Sequence, residues 1–197
     1  MSIVMTTGDV NSFFGEALGS ALASNRVEAS SGAKEYLVGV LVDFAQRGEV
    51  ASSLNRPVAF QLDEALSAPP AERFERLKGV GDNSLYVSGF FHEHLNARGV
   101  DSAYVARLGS TAYGVAAGML GGGDGGTGDL FQELASRFGG FTRVLREVAD
   151  AFFAGSARND ASLVKVYERW CRTGSKQLGR ALAAQGLLPV RPAGGLH

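Results

Sequence analysis

Apolar residues recur at spacings of three and four along nearly the whole chain, the period of a helix with one buried face. Phe13, Phe14, Ala17, Leu18, Ala21 and Leu22 make the first such face, with Asp9 or Asn11 as its expected N-cap. After a polar stretch from Glu28 to Gly32 the pattern returns in Tyr36, Leu37, Val40, Leu41 and Phe44, and it ends near Gly48. Arg56-Pro57 opens a third helix, because proline is pre-set for a first turn, and Pro69-Pro70 closes it. Pro70 starts a fourth segment with Phe74, Leu77 and Val80 inward. Gly81-Asp82-Asn83-Ser84 is then either a break capped by Asp82 or the kinked middle of one long helix.

Leu85, Val87, Phe90, Phe91 and Leu95 continue the period to Gly99, and Asp101 or Ser102 caps a helix carrying Tyr104, Val105, Leu108, Ala112, Val115, Ala116 and Met119. Asp129 is the expected cap of the next, with Leu130, Phe131, Leu134 and Phe138 inward, before Gly139-Gly140 interrupts the chain. Phe141, Val144, Leu145, Val148 and Phe152 line a further helix, and a last long one runs from about Asp160 to Gln185. Alternating Val- and Ile-rich runs are missing, and Ile3 is the single isoleucine. The pattern predicts an all-α, single-domain helical bundle of seven to nine helices over residues 9–188. A flexible start at 1–8 and a flexible tail at 189–197 flank it. The run Gly121 to Gly128 holds six of the 27 glycines and reads as a flexible loop, since each glycine costs a helix about 1 kcal/mol relative to alanine.

Composition narrows the class. A chain of 197 residues with 45% apolar side chains can build a sizeable core without staples. Cys171 is the one cysteine, which excludes a disulfide within the chain and a cysteine-based zinc site. No stretch of 18 apolar residues offers a membrane span, and Met1 to Val10 lacks the basic residue of a secretory signal. A reducing, cytoplasmic setting is the expectation. The net charge of −1 argues against a dedicated nucleic-acid binder. Charge is uneven, with 13 acidic and 8 basic groups in residues 1–101 against 7 and 11 in residues 102–197, a polarity that could orient self-association.

Candidate chemistry is sparse. The glycine run matches G-x-G-x-x-G twice, but a helix precedes it where a dinucleotide fingerprint needs a strand. His92 and His94 are two residues apart, so on a helix they diverge and cannot share a metal, and no metal site is expected. Either could still be a single axial ligand to haem beside Phe90 and Phe91. Ser31-Gly-Ala-Lys34 fits S-x-x-K without the partner motifs, and Ser30-Ser31 reads better as an N-cap. Cys171 lies near Arg169 and Arg172, but an unreactive core thiol is the simpler reading. Asp63 and Glu64 diverge by about 100° on a helix, a poor start for paired carboxylates. No catalytic set emerges, and the chain reads as a non-enzyme.

Two features suit interaction better. Gly15, Gly19 and Ala23 form a small-residue ridge at i,i+4 spacing, as do Ser110, Gly114, Gly118 and Gly122. Glycine inside a helix is destabilising, so such ridges point to close backbone approach, within the core or across a homodimer. Lys165, Arg169, Arg172, Lys176 and Arg180 make a basic stripe on the last helix that would meet an acidic partner surface, or else is a solvated face. The expected function is a self-associating interaction module that binds a protein partner. The alternative is a small apolar ligand or haem held between Phe-rich helices and flanked by His92, His94, Tyr86, Tyr113 and Asp82.

Three segments add a resemblance. Tyr36-Leu-Val-x-x-Leu-x-x-Phe44, Gly81-Asp-Asn-Ser-Leu-Tyr-Val-Ser-Gly-Phe-Phe91 and Leu108-Gly-Ser-Thr-Ala-Tyr-Gly114 resemble a group of bacterial proteins of about this size. It covers roughly residues 33–116 and brings no assigned activity or catalytic residues. The resemblance implies a bacterial source and marks Asp82, Ser88 and Tyr113 as polar positions to test. From the residues themselves, Asp82 is expected to cap a helix, and Ser88 and Tyr113 to be hydrogen-bonded packing residues.

Overall fold

The structure is a computed structural model that describes residues 7–47, 56–121, 126–155 and 159–187. The protein is all-α. Among the described residues there are ten helices and no strand: α1 (Thr7–Asn25), α2 (Ser31–Arg47), α3 (Val58–Ser67), α4 (Pro70–Phe90), α5 (His92–Ala97), α6 (Ser102–Leu120), α7 (Thr127–Ser136), α8 (Phe138–Gly155), α9 (Asp160–Thr173) and α10 (Lys176–Ala184). The expected flexible ends at 1–8 and 189–197 fall mostly outside the described residues, as do 122–125 of the glycine run and the expected helix end at Gly48, whereas Thr127 and Gly128 of that run belong to α7 and not to a loop. The chain divides into two compact units, Met1–Arg146 and Glu147–His197, with the division inside α8.

In the first unit α4 and α6 form the most extensive helix pair, followed by α6 with α7. The sequence explains why they approach so closely. A Cβ placed on Gly109 of α6 would lie 2.5 Å from Ser84 of α4 and from the Phe138 ring, and one on Gly81 of α4 would lie 2.3 Å from the ring of Tyr113. Glycine at these positions opens the space that the neighbouring rings fill. Leu62 and Ala65 of α3, Leu77 and Val80 of α4, and Ala112 and Ala116 of α6 make one apolar cluster, while Val87, Leu95 and Val105 make another. The buried positions are Phe14, Leu18, Ala21 and Leu22 on α1 and Ala33, Leu37, Val40, Leu41 and Val42 on α2, and the two helices pack together. These follow the helical period of the sequence.

Several boundaries differ from the sequence pattern. Asp9 and Asn11 lie inside α1, which already begins at Thr7. Gly81 to Ser84 do not break the chain, so α4 is continuous and Asp82 sits in its interior rather than at a cap. Gly126 rather than Asp129 precedes α7, and Gly139-Gly140 belong to the first turn of α8, where glycine costs little because the chain has turned at Arg137. The terminal pattern is two helices, because Gly174 adopts the left-handed conformation (φ 65°) and Ser175 caps α10 by accepting the Leu178 N–H. Other signals hold. Ser30 Oγ accepts the Ala33 N–H at 3.1 Å, and Asp101 caps α6 by accepting from Ala103 at 2.8 Å. Glu72 and Arg76 pair at 2.6 Å on the exposed side of α4.

The second unit pairs α9 with α10. Val166, Leu178 and Leu182 form its buried apolar centre, with Phe153, Leu163, Tyr167 and Trp170 packed on it. Trp170 lies across Gly179, where a Cβ would come within 3.0 Å of the indole Nε1. Arg169 is buried and donates from Nε to Asp150 Oδ1 at 2.8 Å, with its guanidinium 4.5 Å from the centre of the Phe153 ring.

Two comparisons test this packing. Gly79 and Gly81 share α4, but a Cβ at Gly79 meets nothing within 4 Å. Gly79→Ala should therefore stabilise the protein by about 1 kcal/mol in urea unfolding, from helix propensity alone. Gly81→Ala should destabilise it by about 1–3 kcal/mol through overpacking on Tyr113. In the second unit, Arg169→Ala should cost about 3–5 kcal/mol by leaving Asp150 a buried charge without its partner. The double change of Asp150 and Arg169 to leucine should cost markedly less, and equal losses would show that the ion pair is not what holds this unit.

Candidate functional site

The polar centre of the first unit is built on Asp82. Its position in the interior of α4 turns the carboxylate toward α2 and α6 rather than toward a helix end. Oδ1 accepts from the phenol of Tyr36 of α2 at 2.5 Å and from that of Tyr113 of α6 at 2.6 Å, and Oδ2 accepts from Lys78 Nζ at 2.8 Å. Lys78 is one turn before Asp82 on α4, so helical spacing alone brings the two together. Lys78 Nζ also lies 5.4 Å from the centre of the Tyr36 ring. Phe131 of α7 meets Tyr36 edge-on and Tyr113 at a tilt, both at 5.6 Å, and packs at right angles to Phe74.

Burial and the neighbouring Asp82 charge push the phenols of Tyr36 and Tyr113 well above the ordinary tyrosine range. Both are therefore held as neutral donors. Two phenols and an ammonium converge on one carboxylate, which is a clasp across three helices. It supplies neither a nucleophile nor a free base, because each phenol is harder to ionise here than in water and the carboxylate is committed to its donors.

The five residues expected to flank a ligand do not form one set. Asp82 and Tyr113 bond to each other. Tyr86 is buried in a stack of aromatic rings, 4.3 Å from Phe44 and 5.3 Å from Phe90, where burial pushes its phenol up to about 12. His92 stands at the far end of α4 and donates from Nδ1 to the Gly89 carbonyl at 3.3 Å, while His94 is exposed. Beside His92, the half-buried Arg146 donates to the Ser88 carbonyl and to Ser102 Oγ, both at 3.3 Å. Together they satisfy carbonyls at the C-terminal end of α4 that have no partner within the helix. Ser88 itself donates to the Ser84 carbonyl at 2.5 Å, the hydrogen-bonded packing expected of it.

The small-residue ridges are placed unlike the close contacts of the core. Gly15, Gly19 and Gly118 would each carry a Cβ with nothing within 4 Å, and Gly114 would meet only Ala135 Cβ at 3.9 Å. The ridge of α6 is tied to α7 through Ser110, which donates to the Ala135 carbonyl at 2.9 Å. That of α1 faces outward instead. There a groove of about 410 Å³ runs between α1 and α2, with Gly15, Gly19 and Leu18 on one wall and Val38 and Gly39 on the other. Asn11, Lys34 and Glu35 supply its polar lining.

The basic stripe is interrupted. Arg169 is buried on Asp150, and the turn at Gly174 sets Lys176 and Arg180 on a different helix from Lys165 and Arg172. Glu168 stands on the exposed side of α9 between Lys165 and Arg172. Sequence reasoning missed Tyr36 and Lys78 as polar partners of Asp82. The Lys78-Asp82 spacing was a usable signal, whereas Tyr36 read only as an apolar helix position. Among the described residues no group of three or more His, Cys, Asp or Glu is placed to hold a metal ion, and no helix is long and apolar enough to cross a membrane.

No protein-family model, curated protein or solved structure matches the chain.

The clasp predicts a direction for pH. Unfolded tyrosine ionises near 10.0, whereas the folded chain holds Tyr36 and Tyr113 protonated above that. The folded state then binds more protons than the unfolded state, so stability is fully present below pH 10 and falls as pH rises past it. Tyr113→Phe should cost about 1.5–3 kcal/mol at neutral pH, the range for a hydrogen bond to a charged group, and should make the alkaline loss shallower. Urea unfolding followed by circular dichroism across this range measures both effects. An alkaline slope unchanged in the Tyr36→Phe, Tyr113→Phe double variant would mean that other groups cause it.

Proposed function

We propose that this protein is a non-enzymatic helical interaction module that associates with a second copy of itself through the groove between α1 and α2. The observation that carries this reading is the outward glycine row. Gly15 and Gly19 of α1 and Gly39 of α2 lie inside helices, where each costs about 1 kcal/mol relative to alanine, yet a Cβ at any of them would meet open space. Packing among the described residues gives these glycines no reason, unlike Gly81 and Gly109. A helix laid in the groove supplies one, since its backbone can come close where no side chain stands. A two-fold contact uses the same patch on both copies, and the adjacent Lys34 and Glu35 of the lining give that patch both signs of charge. The cytoplasm is the compartment this reading assigns, in keeping with a single cysteine that needs no oxidised partner.

Association and the role of the groove are tested together by sedimentation and native mass measurement. The chain should run at twice 20.6 kDa. Gly15→Leu with Gly19→Leu should weaken the dimer at least tenfold, about 1.4 kcal/mol, with an unchanged helical spectrum, because both side chains enter open space. Gly118→Leu, also in open space, should leave the dimer intact. A wild-type chain that stays at 20.6 kDa when concentrated, or a folded double variant that dimerises as before, overturns the reading.

A further inference from the structure

We draw no further inference here: the strongest candidate, the exposed basic patch that Lys165 and Arg172 of α9 and Lys176 and Arg180 of α10 leave on the second unit, carries none, because Glu168 stands among these residues and nothing in the structure shows what covers them.

Discussion

An anion held inside a helical unit is stable only when donors surround it, and the donors that surround Asp82 come from three helices. That requirement reaches well beyond the carboxylate. Tyr113 can deliver its hydroxyl only by laying its ring along α4, and the ring fits only because residue 81 has no side chain. Tyr36 must approach from α2, which fixes that helix against α4, and Phe131 fills the space beside both rings. One charged group thus sets the register of α2, α4 and α6. A purely apolar centre of the same volume would hold the helices together with less preference for one register.

α4 carries this arrangement because it is buried on every side along its second half. From Asn83 to Phe90 every residue is buried, including two serines. Their hydroxyls turn back to carbonyls one turn earlier in the same helix, so they bring no unmet polar demand into the core. At its C-terminal end the helix borrows donors from outside itself, a guanidinium from α8 and an imidazole from α5. The serines are thus satisfied within the helix, whereas Asp82 reaches sideways to Tyr36 and Tyr113, and the buried Asn83 donates to Gln61 Oε1 of α3 at 3.4 Å.

The helical class, the inward faces of α1 and α2, most of that of α8, and the caps at Ser30 and Asp101 were legible in the sequence, because period and cap chemistry are local properties. Phe152 of α8 and Tyr104 and Met119 of α6, expected inward, are exposed. Breaks were less so. Glycine at 81, at 139 and at 174 is the same letter in three situations: a close ring contact inside a helix, a first turn, and a left-handed stop. Only the neighbours in space separate these uses. The i,i+4 ridges left two readings open for the same reason, since regular spacing selects a face without saying whether it points in or out. The two pairwise partners of Asp82 that lie far along the chain could not be read from spacing. Yet the three segments that carry the resemblance each contribute one member of the clasp, Tyr36, Asp82 and Tyr113. Of the polar residues picked out there, Asp82 and Tyr113 meet, while Ser88 bonds within its own helix and the histidines and Tyr86 do not join them.

The seat of Trp170 has an optical consequence. It is the single tryptophan of the chain and belongs wholly to the second unit, whereas Tyr36, Tyr86, Tyr104 and Tyr113 belong to the first. Indole emission therefore reports the state of the second unit alone, and the far-ultraviolet helix signal, summed over all ten described helices, is dominated by the first. Following both signals through one unfolding experiment would separate the melting of the two units without any added label, a resolution that the placement of one aromatic ring provides.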